Sequence, residues 1–428
     1  MKTFLQPLQN LAEMEEIQKQ AKKNCGILEI SGCMESQKAH LMYGLSGLFP
    51  CHLVIAADEK SAKELYEDYR FYDKRVYYYP AKDLLFFQAD IHGNLLIRQR
   101  MQVIRALLER EDEITVVTSI DGCMDYLAPL EKIEKQLIHF RNDSTLDMDK
   151  LTAALVHMGY ERVGQVEMPG QFSIRGGIID IYSLTEENPW RIELWGDEID
   201  SIRSFDAQSQ RSLENLDDVT IYPAAEQPME KNGVSFLDYF KETETLFFLD
   251  ELNHLEENAK AVQEEFQQSC ENRKEKGEIS LSGDWMCTWE ELCHKINDRN
   301  CVAMSLLDPK KSNWKISGQF NITVKSMSSY QSSFELLVKD LKQYKKEGYQ
   351  IVLLSGSRTR AERLAKDLQE EGLNAFYGQD SDRILQPGEI MVAYGHARRG
   401  FEYPLVKFAV ITDCLLYTSD AADDLTRV

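Results

Sequence analysis

Gly32, Lys38 and the acidic pair Asp250-Glu251 are the residues whose types and spacing come nearest to a known chemistry. The stretch ISGCMESQKAHL, residues 30–41, follows an apolar run and precedes a helical pattern. That is the layout of a phosphate-binding loop, G-x-x-x-x-G-K-[ST]. Gly32 and Lys38 fall in register, but Gln37 stands where the second glycine lets backbone approach phosphate. Ala39 stands where a hydroxyl would hold magnesium. The segment LFFLDELNH, residues 246–254, puts Asp250 and Glu251 at a strand end, like the acids that support magnesium and water in nucleotide hydrolases. Read alone, the loop is more simply an ordinary strand–loop–helix connection, and the acids a helix N-cap. With Ala39 out of the metal shell, hydrolysis is not expected and the two carboxylates are left with little to do.

A second constellation is suited to recognition rather than catalysis. In WRIELW, residues 190–195, period-two alternation puts Trp190, Ile192 and Leu194 on a core face and Arg191, Glu193 and Trp195 on a polar one. A Trp beside an Arg on a polar face is the composition of an interface hot spot, although an edge residue covered by its own chain has the same pattern. Across the sheet, Arg175 in FSIRGG falls on the same face unless Gly176-Gly177 is a bulge that re-aims it. No other chemistry is legible. The eight histidines lack metal-ligand spacing, G-x-S-x-G is absent, and no catalytic or metal-binding residue is assigned.

The elements that must position these residues follow from periodicity. From residue 26 to about 130, short apolar strands (Leu53–Ile55, Val76–Tyr79, Thr115–Thr118) alternate with amphipathic helices (Ser61–Tyr72, Asn94–Leu108), which predicts a helix-covered parallel sheet. Residues 160–226 are glycine-rich and strictly alternating, an antiparallel segment. A strand at Leu246–Leu249 and a charged helix, Glu251–Gln268, come next. Residues 270–330 resist assignment. From 334 a second α/β unit is expected, with helices Phe334–Lys346 and Arg358–Glu371 and strands Gln350–Leu354, Glu389–Tyr394 and Phe408–Thr412. The closing CLLYTSDAADDLTRV lacks cap or turn logic. It resembles translated adapter read-through, so the natural chain is expected to depart from this one near Asp413.

Composition narrows the classes. The chain has 428 residues and a net charge of −22, from 49 basic and 71 acidic side chains, which disfavours a large nucleic-acid surface and favours a protein partner. No apolar run is long enough to span a bilayer. Nine cysteines without a C-x-x-C pair read as reduced thiols in a cytoplasmic protein.

Residues 159–225 carry a resemblance. Their pattern G-x-F-x-x-R-G-x-x-x-D-I, then R-I-E-x-x-G-D-E-I-x-S-I-R-x-F-D, then Q-R-S and P-A-x-E is similar to the region shared by UvrB and the transcription-repair coupling factors. YYPAKDLLFF and ITVVTSIDGCMDYLAP resemble the first UvrB-like domain. EGYQIVLLSGSRTRAERLAKDLQEEGLNAFYG and RRGFEYPLVKFAVITD resemble the coupling factors' small α/β domain. YYYPAKDLLFF runs on without room for the DNA-inserting hairpin of UvrB, so the coupling-factor family is favoured.

The resemblance implies an α/β multidomain architecture: a degenerate P-loop-NTPase-like α/β domain, an inserted antiparallel β-rich domain and a following small α/β domain. The expected divisions are residues 1–130 and 215–330 for the first domain, 131–214 for the insert, 331–413 for the small domain and 414–428 for a non-native tail. It also implies a non-catalytic module, expected to be a monomer, that recruits UvrA through Arg175, Arg191 and Trp195. No cofactor is expected here. ATP, magnesium, RNA polymerase and DNA belong to later domains of the family. Two alternatives stay open: a divergent ATP-dependent helicase using Gly32, Lys38, Asp250 and Glu251, and a UvrB-like damage-loading protein.

Overall fold

The computed structural model describes residues 1–23, 26–82, 94–226, 233–276, 286–307, 314–327, 330, 333–378 and 382–412. The suspect tail, from 413 onward, and the 83–93 segment where the missing hairpin was inferred lie outside the described residues.

Two amphipathic helices, α1 (Lys2–Gln9) and α2 (Met14–Lys23), precede β1 (Gly26–Ser31). The chain then alternates through α3 (Glu35–Ser46), β2 (Cys51–Ala56), α4 (Glu59–Tyr72), β3 (Val76–Tyr79), α5 (Asn94–Leu108) and β4 (Ile114–Ser119). Asp58 fixes the start of α4 by accepting a hydrogen bond from the Ser61 amide at 2.7 Å. Short elements α6 (Ile120–Cys123), β5 (Tyr126–Leu127) and α7 (Leu130–Glu134) lead out of this unit.

Next come β6 (Ile138–Arg141), α8 (Met148–His157), β7 (Glu161–Arg162), β8 (Gln171–Arg175), β9 (Ile178–Ile181), β10 (Trp190–Trp195), β11 (Glu198–Phe205), β12 (Ser212–Leu216), β13 (Asp218–Ile221) and β14 (Val234–Ser235). Strands β7 to β12 form one six-stranded sheet in chain order, antiparallel except for the short β7–β8 pair. Phe172, Ile179, Ile181, Trp190, Ile192 and Ile202 fill its core face against Leu151 and Leu155 of α8. The boundary expected at 214–215 cuts β12, and β13 pairs back on β6, so the insert extends past it.

The chain then returns to the first unit with β15 (Thr245–Asp250), α9 (Leu252–Glu275), α10 (Trp289–Asn297), β16 (Asn300–Ser305) and β17 (Ile316–Asn321). Together these complete a seven-stranded sheet, all parallel, in the order β17-β1-β16-β15-β2-β4-β3. Strands β1, β4 and β15 are buried at every position because helices cover both faces. Side chains of the sheet alternate between two cores, Leu28, Ile30, Phe248 and Val302 on one side and Ile27, Leu53, Phe247 and Leu249 on the other. The unassigned 270–330 region thus supplies two strands of this sheet. Helix α9 also runs one to two turns beyond its expected end.

A third sheet, β18-β22-β23-β19-β21-β20, is built from β18 (Lys325–Ser326), α11 (Phe334–Glu347), β19 (Gln350–Ser355), α12 (Arg358–Glu370), β20 (Ala375–Tyr377), β21 (Ile390–Tyr394), β22 (Phe401–Tyr403) and β23 (Phe408–Thr412). Its residues Val352, Leu354, Phe401, Tyr403 and Phe408 join the same core cluster as Phe4, Leu28 and Val54. The first and third units are therefore packed together, not strung on a linker. Among the described residues no helix is long and apolar enough to cross a membrane.

Candidate functional site

The phosphate-loop register does not form a phosphate cradle. Helix α3 starts at Glu35, so only Gly32, Cys33 and Met34 link it to β1, and Gln37 and Lys38 already lie in its first turn. Amide groups that would face a phosphate are committed within the protein. Gly32 donates to the Leu306 carbonyl at 3.3 Å, Cys33 to Ser305 at 3.1 Å, and Met34 to the Gln37 side chain at 3.0 Å. Gly32 is needed for a different close approach. At its φ of 79°, an added Cβ would lie 2.3 Å from the carbonyl oxygen of Ile322.

Gln37 was expected to block backbone approach to phosphate; instead its side chain turns inward. Its carbonyl oxygen caps α3 and its amide donates to the Tyr403 hydroxyl at 3.0 Å, tying the loop to β22. Ala39 is buried in the shared core. Lys38 Nζ lies 2.6 Å from Asp250 Oδ1 and 2.6 Å from Glu251 Oε1. The expectation that the two acids have little to do is therefore corrected: they neutralise Lys38. Burial alone would lower the Lys38 ammonium, but the two carboxylates outweigh it and hold it above its ordinary value. Glu251 adopts a left-handed backbone (φ 53°) between β15 and α9, and its carboxylate also accepts the Leu306 amide at 2.9 Å. A lysine held in this way is already charge-paired and presents no free cation to an incoming phosphate.

The insert brings its three expected residues to one face. Arg191 pairs opposite Asp180 on β9, Asp180 opposite Ser173 on β8, and Arg175 opposite Ile178, so Arg175, Asp180 and Arg191 share that face. Gly176-Gly177 is a two-residue hairpin turn rather than a bulge; Gly176 takes the positive φ (62°) that the first position of a primed turn requires. A second two-residue turn, Gly196-Asp197, follows Trp195, which pairs with Glu198. The two turns are neighbours, since the Leu194 amide donates to the Gly177 carbonyl at 2.8 Å. Trp195 and Arg175 thus both lie at this end of the sheet, on β10 and β8, with β9 between them.

Their environments differ. Asp180, 1% exposed, accepts from Arg191 Nε at 2.6 Å and from its terminal nitrogen at 2.9 Å, a bidentate fork, and from Arg175 at 2.5 Å. The Arg191 guanidinium also donates to Gln210 at 2.9 Å and lies 4.3 Å from the Phe205 ring centroid. Its side chain is 14% exposed, whereas that of Arg175 is 46% exposed. The hydrogen bonds to Asp180 hold Arg191 above its ordinary value. Trp195 is 83% exposed, the most exposed large apolar side chain of the described residues. Beside this array, Arg203 pairs with Glu193 at 2.5 Å.

Sequence reasoning missed Asp180, although its place opposite Arg191 follows from strand pairing across the hairpin. It also gave no role to the P-A-x-E motif. That motif ends in Glu226, whose carboxylate binds Arg100 at 2.6 Å and Lys82, while Arg100 reaches Asp125 at 3.0 Å. Burial raises the Glu226 carboxyl, but Arg100 and Lys82 outweigh it and draw it down to about 2. The network clamps the exit of the insert to α5. Among the described residues no group of His, Cys, Asp and Glu is arranged to hold a metal.

Residues 138–226, which include the whole Trp195 face, match the UvrB interaction domain family. The chain is 29% identical to the transcription-repair-coupling factor of Bacillus subtilis (strain 168), over 90% of its own length and 39% of that protein. It is 25% identical to the transcription-repair-coupling factor of Staphylococcus haemolyticus (80% of this chain, 34% of that protein). The chain is a relative of the transcription-repair-coupling factors. It spans 39% and 34% of the length of these two relatives. The match to the UvrB interaction domain covers the residues that build the insert sheet and its two hairpin tips.

Proposed function

We propose that the chain is the N-terminal, non-catalytic part of a transcription-repair coupling factor, and that its insert sheet recruits UvrA to couple stalled transcription to nucleotide excision repair. The observation that carries this reading is Trp195, an exposed indole at the same polar sheet tip as Arg175, within the segment matched to the UvrB interaction domain. Covering the indole with a partner releases on the order of 3 kcal/mol. Arg175 supplies the charged contact. Arg191, already paired, acts as a positioning residue that holds Asp180 and Phe205 beneath the tip.

The first α/β unit is, in this reading, a P-loop-NTPase-like scaffold converted to a structural one. Lys38 joins the first turn of α3 to the end of β15 through Asp250 and Glu251, and the third unit covers the loop through Tyr403. The module works in the cytoplasm as a monomer and needs no nucleotide of its own. RNA polymerase and DNA are engaged by parts of the factor outside this chain. The test is a pull-down of the chain with UvrA, comparing Trp195→Ala and Arg175→Glu with the parent. Loss in both variants supports the assignment, and undiminished capture by both overturns it.

A further inference from the structure

A cleft of about 680 Å³ lies between the first and third units, away from the Lys38 loop and the Trp195 tip. One wall is α4 with the start of α1. The other is the edge of the third sheet where β19, β20 and β21, which run parallel, all end. Ligands of open α/β sheets bind at this carboxyl edge, where successive connections leave a crevice. Here the sequence marks it: each of the three strands runs directly into a glycine, Gly356, Gly378 and Gly395. Two of these are places of close approach. A Cβ on Gly395 would lie 2.1 Å from the Phe71 ring, and one on Gly378 2.6 Å from Met391.

The walls are chemically divided. Phe4, Phe71, Met391 and Ala393 give an apolar floor, while Arg70, Lys74, Arg358 and His396 bring basic groups against one acid, Glu67. Arg70, Lys74 and Arg358 are exposed and make no ion pair among the described residues, in a chain that carries a net charge of −22 and whose buried Arg100 and Arg299 are carboxylate-paired. Tyr394, at the end of β21, is 54% exposed, and the Arg358 guanidinium lies 5.8 Å from its ring centroid. Helix α12 begins at Arg358 beside the cleft, with Ser357 accepting the Arg360 amide, so its positive end adds to the field. The volume is that of a small-molecule pocket.

We propose that this cleft binds a small phosphorylated ligand with a flat ring, of the size and chemistry of a nucleoside monophosphate. Arg70, Lys74 and Arg358 receive the phosphate, and Tyr394 and the apolar floor receive the ring. The site is separate from the retired loop and does not depend on the UvrA reading.

The test is calorimetric titration of the whole chain with AMP, adenosine and inorganic phosphate, repeated on a Lys74→Ala, Arg358→Ala double variant. Both side chains are exposed, so the variant is expected to fold, and its thermal melt checks this. The proposal expects saturable 1:1 binding of AMP, weaker binding of adenosine and of phosphate, and a loss of about tenfold or more in AMP affinity in the double variant. Absence of saturable AMP binding overturns it. So does AMP binding that survives the double variant unchanged, or adenosine or phosphate binding as tightly as AMP. A single Tyr394→Ala variant provides a second reading: it should weaken AMP and leave phosphate unaffected, and equal loss of both contradicts the assignment of the ring.

Discussion

Arg191 grips Asp180 through one edge of its guanidinium, Nε at 2.6 Å and a terminal nitrogen at 2.9 Å, while the carboxylate beneath it is almost wholly buried. The pair is an internal support for the exposed tip and not itself the most accessible part of the surface. Removing one partner of a buried ion pair leaves the other uncompensated. Asp180→Ala should therefore destabilise the chain by about 3 kcal/mol in urea unfolding. Arg191→Lys loses the fork and should recover only part of the stability of the parent.

The pH dependence of docking between the first and third units should centre on His40. Its ring nitrogens lie 2.8 Å from the Phe4 carbonyl and 3.1 Å from the Tyr403 hydroxyl, within a cage that includes Tyr72, Phe401 and Phe408. Burial lowers its pKa to about 4, against the opposing effect of the Phe4 carbonyl. A folded-state pKa below the unfolded value means that stability is present above about pH 6.5 and is lost as pH falls toward 4, by about 3 kcal/mol in total. His40→Gln should flatten that slope in urea unfolding from pH 7 to 4. An unchanged slope assigns the loss to other buried groups.

Lys38 held by Asp250 and Glu251 predicts that Mg-ATP titration gives no micromolar binding that depends on Lys38. Lys38→Met should lower stability by about 3 kcal/mol, because it strands the buried Asp250 carboxylate and leaves the half-buried Glu251 unpaired. Micromolar affinity abolished by Lys38→Met would favour the helicase reading.

Gly32 distinguishes a structural from a phosphate-binding role. Gly32→Ala forces a Cβ against the Ile322 carbonyl at a positive φ, so it should cost about 2 kcal/mol or more in thermal or urea unfolding without any ligand present.

Much of this architecture was legible because parallel strands buried on both faces read as apolar runs and amphipathic helices read at a period of 3.6. Strands β2, β3 and β19 and helices α5 and α11 stand within a residue or two of their expected places. The 270–330 region failed for a physical reason. Strand β17, ISGQFN, is an edge strand with alternating exposure and a glycine, and it pairs with β1 from almost 290 positions away. Local pattern carries no trace of that partner. At the site, alternation alone put Arg191, Glu193 and Trp195 on one face, whereas the place of Arg175 depends on the register of β8, β9 and β10. The neutralisation of Lys38 was not legible, because it depends on the first turn of α3 and the end of β15, more than 200 residues apart, meeting at 2.6 Å. The same holds for Tyr403 and Gln37, brought together only when the third unit docks.

The most direct test of the central claim is the dissociation constant of UvrA for the parent chain and for Trp195→Ala, measured by calorimetry alongside urea unfolding of both. An 83%-exposed side chain contributes little to folding, so stability should change by no more than about 0.5 kcal/mol. Affinity should fall by about 2 kcal/mol or more, some thirtyfold in Kd. Unchanged affinity with unchanged stability would contradict the account.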